Sequence, residues 1–201
     1  MNGRLVQSLI IFISFISLGF AWDEGKPLAR PLGEESDDFG CNYGTFSRAE
    51  NDQVDTCRGS LQSAEVPPGQ TGLAIRLEYN VGNQGALNGL FIKMGPEDKG
   101  NNFDAAIYHK LTFWLKGDER SGIPAKLKLE LKGDPETAVG ATYVDQISAM
   151  WKKFEIPLDE FVKDGNIDLT RVNEIRVVFE HKSVGLATRG AIFIDDITLE
   201  K

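Results

Sequence analysis

Cysteine and histidine are scarce in this chain: Cys41, Cys57, His109 and His181 are all that 201 residues contain. The two histidines stand alone and no further cysteine follows, so a zinc site of the usual Cys and His ligands has little support. No G-x-S-x-G elbow, phosphate-binding glycine loop or H-E-x-x-H pair occurs, which removes the common signatures of serine hydrolases, nucleotide-binding enzymes and zinc peptidases. Positive charge is also short. There are 22 Lys and Arg against 30 Asp and Glu, a formal charge of −8, which disfavours nucleic acid and anionic membranes as partners. No long amphipathic helical pattern and no fixed-period repeat can be found, so helical bundles, propellers and solenoids are poor descriptions.

What is present begins with an apolar run. Arg4 supplies a positive start, Leu5 to Phe20 is mostly apolar, and Gly19-Phe20-Ala21 offers small residues for cleavage. This is the pattern of a secretory signal peptide over residues 1–21, with the mature chain starting at Trp22. The run is slightly short for a membrane span of about 20 residues, although an uncleaved N-terminal anchor is the alternative. No cysteine follows to make a bacterial lipoprotein. The expectation is therefore an exported protein, secreted or periplasmic, with no transmembrane segment after cleavage and a mature formal charge of −9. In an oxidising compartment Cys41 and Cys57 are placed to pair, and closing a loop of that size would stabilise the fold by about 3 kcal/mol.

Residues 22–36 are rich in proline, glycine and acid and show neither structural period, so they read as a flexible lead. One domain then runs from 37 to 201. Asn42 to Ser60 reads as a polar stretch held by the disulfide. Beyond it, apolar and polar residues alternate with period 2. Leu73, Ile75, Leu77 and Tyr79 do so first, then a strand around Leu90 to Met94, and then Leu111, Phe113 and Leu115. Leu127, Leu129 and Leu131 follow, then Phe154, Ile156 and Leu158, then Ile175, Val177 and Phe179, and finally Ile192 to Leu199. Pro157 lacks an N–H and suits an edge strand or a strand end, with one short helical turn over Asp159 to Val162. Seven or eight strands joined by turns predict an all-β antiparallel sandwich.

Tyr108 to Asp118, Leu129-Glu130-Leu131-Lys132, Trp151 to Leu158 and Ile192 to Ile197 together resemble the galactose-binding-like jelly rolls. Among these the chain is most similar to the carbohydrate-binding modules of family 11 and to the related complex I intermediate-associated protein 30 domain. The resemblance covers about Asp37 to Lys201. It implies a jelly roll that binds a glycan, or else one that serves as a protein-interaction or assembly domain. Related jelly rolls often hold a structural calcium with an acid from each end of the domain, which makes Asp195 and Asp38 the candidate ligands here.

The polar sides of the strands supply the candidate ligand face. Arg76, Glu78, Trp114, Lys128, Glu130, Arg176 and Glu180 all stand opposite core positions, and strands sharing one sheet would gather them on one surface. Sugar hydroxyls need fixed donors and acceptors, and the apolar faces of sugars suit an indole ring. A solvated charged face with Trp114 under a loop is the bland alternative. For catalysis, a glycan hydrolase needs two carboxyl groups about 5 to 9.5 Å apart. Adjacent Asp195 and Asp196 on one strand are not such a pair, and interleaved Lys and Arg make Glu78, Glu130 and Glu180 a neutralised surface. The expectation is a binding protein without catalytic residues.

Overall fold

The computed structural model describes residues 43–48, 56–62, 65–94 and 102–201. The expectations for the signal peptide, the lead, Asp38 and Cys41 lie outside the described residues. Among the described residues no helix is long and apolar enough to cross a membrane.

Among the described residues ten strands form two five-stranded antiparallel sheets. They are β1 (Tyr43–Arg48), β2 (Cys57–Gln62), β3 (Ala74–Asn80), β4 (Leu87–Lys93), β5 (Lys110–Gly117), β6 (Leu127–Gly133), β7 (Val139–Val144), β8 (Lys152–Pro157), β9 (Val172–Glu180) and β10 (Arg189–Glu200). Sheet I has the order β1-β4-β9-β6-β7 and sheet II the order β2-β3-β10-β5-β8. The only α-helix among the described residues, α1 (Asp159–Lys163), is the short turn expected after Pro157, and Pro157 ends β8 at the edge of sheet II.

The alternation explains the layers. Ile75, Leu77, Tyr79, Leu90, Ile92, Leu111, Phe113, Leu115, Leu127, Leu129, Leu131, Ile175, Val177, Phe179, Ile192 and Ile194 all belong to one buried core. Each such large apolar side chain contributes about 1.5–3 kcal/mol when taken from water. Tyr79 of sheet II stacks on Phe179 of sheet I at 4.2 Å between centroids. Its hydroxyl still reaches a partner, donating to the Ala187 carbonyl at 2.9 Å.

The stretch from Asn42 to Ser60 corrects the sequence reading: it contains β1 and the start of β2. Both lie at sheet edges, where one face and one side meet no strand, so they hold polar residues and glycines and show little apolar alternation. Cys57 faces inward beside Tyr79 and is buried in the core, and its backbone N–H donates to Ser47 Oγ at 3.2 Å, tying the two sheets at their shared edge.

Candidate functional site: the outer face of sheet I

Apart from β2-β3 and β6-β7, consecutive strands pass between the two sheets, and this decides where the candidate residues go. Lys128 and Glu130 of β6 and Arg176 and Glu180 of β9 come together on the outer face of sheet I. Arg76 and Glu78 of β3 and Trp114 of β5 stand on the outer face of sheet II, on the other side of the core. The single shared face expected from the sequence is therefore two faces. A period-2 pattern tells which side of a strand is polar but not which sheet the strand joins.

Register builds the sheet I face in rows. Phe46, Gly89, Val178, Lys128 and Tyr143 are cross-strand neighbours in one line over β1, β4, β9, β6 and β7. Four strand spacings of about 4.8 Å make this row about 19 Å long. It has an aromatic residue at each end, with Gly89, Val178 and the charged Lys128 between them. Gly89 is required there: a methyl group would overlap the Val177 carbonyl oxygen of β9. The next row holds Gly44, Phe91, Arg176, Glu130 and Ala141. Gly44 leaves room for the Phe91 ring, whose Cζ would lie 2.9 Å from a Cβ at that position.

The charges on this face are tied down. Glu180 is the hub: Lys128 Nζ reaches its Oε1 at 3.1 Å, Tyr143 donates its hydroxyl to Oε2 at 3.0 Å, and Lys182 lies 3.5 Å from Oε2. Lys128 also holds Glu130 at 2.8 Å. Burial works against the Lys128 ammonium, but the two carboxylates outweigh it and hold its pKa above the usual lysine value. Burial, reinforced by the hydrogen bond to Glu180, raises the Tyr143 phenol. Glu174, with its side chain only 3% exposed although on an outward-facing position, is held by Lys93 at 2.5 Å and by Arg176. The Arg176 guanidinium lies 5.0 Å from the centre of the Phe46 ring, a cation–π contact. Beside Glu180 opens a cleft of about 480 Å³ lined by Gln84, Leu87, His181 and Lys182, within the ~300–1,000 Å³ range of small-molecule sites.

Sequence reasoning missed Phe46, Phe91 and Tyr143. Phe91 carried a signal, since it is out of phase with Leu90 and Ile92, and its ring had to leave the core. Phe46 and Tyr143 lie on edge strands β1 and β7, neither of which the alternation revealed.

On sheet II, Trp114 is half-buried and is the cross-strand neighbour of Asp195 and Lys153. The Phe193 ring has Lys116 Nζ at 4.7 Å and Arg76 at 5.8 Å from its centre, and meets Trp151 edge-on with ring centroids 6.4 Å apart. Arg76 joins Glu78 and Asp118, the latter at 2.9 Å. Asp195 sits at a β-bulge in β10, where Asp196 has φ +48° and Asp195 Oδ1 accepts the Asp196 N–H at 2.8 Å. Among the described residues no group of three His, Cys, Asp or Glu side chains is placed to hold a metal.

Neither family models nor curated protein sequences give a match to this chain. Solved structures do. A family 11 carbohydrate-binding module of the cellulosomal cellulase Lic26A-Cel5E of Clostridium thermocellum is 17% identical, with a TM-score of 0.57 over 79% of this chain and 87% of that one. A Clostridium thermocellum family 11 module in complex with a β-1,3-1,4-mixed-linked tetrasaccharide is 18% identical, with a TM-score of 0.58 over 79% and 88%. An exo-β-agarase matches at 17% identity and a TM-score of 0.55, over 75% of this chain but 24% of its own. At these identities the likeness is one of fold: the chain has the jelly-roll β-sandwich of the family 11 carbohydrate-binding modules.

Proposed function

We propose that this protein is an exported glycan-binding module that holds a neutral polysaccharide along the outer face of sheet I and does not alter it. The observation that carries the reading is the five-strand row from Phe46 to Tyr143. It pairs ring faces for sugar C–H surfaces with a floor kept low by Gly89 and Val178. Alongside it, Glu180, Glu130 and Lys128 are already fixed by one another, and Arg176 is fixed by Glu174 and the Phe46 ring. Donors and acceptors ordered before the ligand arrives lose little freedom on binding. The fold shared with a family 11 module in complex with a β-1,3-1,4-mixed-linked tetrasaccharide supports the ligand class. The same ion pairing argues for binding over hydrolysis, because Glu130 and Glu180 share Lys128 as anchored acceptors and not as a separated acid and nucleophile.

Native electrophoresis in gels containing β-1,3-1,4-mixed-linked glucan tests this. The wild-type chain should be retarded and Tyr143→Ala released, with Trp114→Ala on sheet II behaving like wild type. Reducing sugar should not accumulate on incubation with the polysaccharide. N-terminal sequencing of the exported protein should begin at Trp22. If a broad set of neutral glycans causes no retardation, the reading fails and a protein-docking jelly roll takes its place.

A further inference from the structure

At the other side of the sandwich, the β2-β3-β10 end of sheet II encloses a cleft of about 320 Å³ lined by Thr56, Arg58, Glu78, Asn80, Ser121 and Arg189 over a backbone floor at Gly190. Arg58 is the cross-strand neighbour of Glu78, and Arg189 that of Asn80, so the two arginines flank β3 from either side. Both are exposed, and neither has a carboxylate within ion-pair distance among the described residues. The one carboxylate lining the cleft, Glu78, is taken by Arg76, which also binds Asp118. Arg189 donates its Nε to Asn80 Oδ1 at 3.2 Å, which orients the guanidinium and leaves both of its terminal nitrogens available. Among the described residues this leaves two guanidiniums without a carboxylate partner facing one small cavity, in a chain of net charge −8.

The remaining polar groups narrow the ligand. The Thr56 hydroxyl and the Asn80 side-chain N–H make no hydrogen bond among the described residues, and both line the same cleft. Guanidinium forks match the planar geometry of a carboxylate, and a hydroxyl with an amide donor suits ring hydroxyls. Gly190 pairs with inward-facing Tyr79, and the backbone packs closely there: a Cβ would lie 2.7 Å from the Tyr79 hydroxyl and overlap the Gly122 carbonyl. We propose that this cleft is a second ligand site, for an acidic sugar: a uronic acid whose carboxylate is shared by Arg58 and Arg189 and whose hydroxyls meet Thr56 and Asn80.

Titration calorimetry of the purified chain with glucuronate, glucose and acetate tests it. Glucuronate should bind, and at least tenfold more tightly than either glucose, which lacks the carboxylate, or acetate, which lacks the ring. Arg58→Ala and Arg189→Ala should each weaken glucuronate by tenfold or more with an unchanged melting temperature, since both side chains are exposed. Lysine at either position should recover only part of the loss. Tyr143→Ala on sheet I should leave glucuronate binding intact, which separates this site from the proposed polysaccharide face. Equal binding of glucose, equal binding of acetate, or glucuronate affinity indifferent to both arginine substitutions would overturn the proposal.

Discussion

The Tyr143 hydroxyl donates to Glu180 Oε2 over 3.0 Å, linking edge strand β7 to central strand β9 above the intervening Lys128. Tyr143 thereby has two separable roles, a ring and a hydroxyl. Tyr143→Phe removes only the hydrogen bond to a carboxylate, a loss of about 1.5–3 kcal/mol if Glu180 finds no other donor. Lys128 and Lys182 remain on Glu180, so the lower end of that range is expected. Glycan retardation should survive Tyr143→Phe and vanish in Tyr143→Ala. A phenylalanine variant as defective as the alanine variant would place the ring outside the site.

Gly89 makes the row possible and should be the least replaceable residue in it. Gly89→Ala sets a methyl group against the backbone of β9, where no side chain can swing aside. Overpacking of this kind costs about 1–3 kcal/mol or more, and about 2–4 °C of melting temperature per kcal/mol in a chain of this length. Thermal melts should show a fall of several degrees. An unchanged melt would mean that β4 and β9 do not pair in this register.

Acid should destabilise the fold through sheet II. Burial works against the Asp118 carboxylate, but its hydrogen bonds from Arg76, Ser121 and the Arg120 N–H outweigh this and hold its pKa below the usual aspartate value. For Glu200 burial again opposes, and Lys153, Lys110 and Thr112 prevail. Groups with depressed folded pKa values add stability above the ordinary carboxylate range near pH 4, and that stability is lost as the pH falls through the folded values. Urea unfolding should therefore give a falling stability below about pH 4. Asp118→Asn should start lower at pH 7 and lose less on acidification. An equal slope in the variant would remove Asp118 from the account.

The fold was largely readable because seven strands bury one face each, and burial of Leu127, Leu129 and Leu131 beside solvated Lys128 and Glu130 writes itself as period 2. Strands β1, β2 and β7 escaped for the opposite reason. YGTFSR, CRGSLQ and VGATYV lie at edges, and their small or polar residues answer to close backbone approach and half-exposed faces. Gly140 of β7 shows this, since the Phe161 carbonyl of α1 occupies the space of its missing side chain. The site suffered more than the fold. Its aromatic ends, Phe46 and Tyr143, are on those edge strands. Its membership depends on sheet order, a long-range property of the whole chain: Trp114 and Arg176 have the same local pattern and finish on opposite sides of the core.

Cys57 is held in the core, and burial pushes its thiol up to about 12. The sequence proposes that it pairs with Cys41 in the exported protein. Mass spectrometry of unreduced, alkylated protein should then show two hydrogens lost and no label. After reduction, Cys57 in the native fold should react slowly at pH 8, because the reactive thiolate is a small fraction of so raised a thiol, and quickly in urea. Two promptly labelled thiols in unreduced native protein would remove the pairing.

Asp195 separates two accounts of how the last strand is held. If a calcium joins the ends of the domain through Asp195 and Asp38, binding to the native state alone stabilises it by mass action. Excess chelator should then lower the melting temperature, calcium should restore it, and Asp195→Asn should abolish the response by removing a charged oxygen. The geometry already gives Asp195 another role, since its Oδ1 caps the Asp196 N–H at the bulge, where Thr198 Oγ1 in turn donates to the Asp196 carbonyl at 3.1 Å. Asparagine keeps an acceptor oxygen for that N–H, so under capping alone Asp195→Asn should melt close to wild type and Asp195→Ala should lose about 0.5–1.5 kcal/mol. Melts of the wild type and both variants with and without chelator therefore decide the matter, and a wild-type curve indifferent to chelator removes the calcium account.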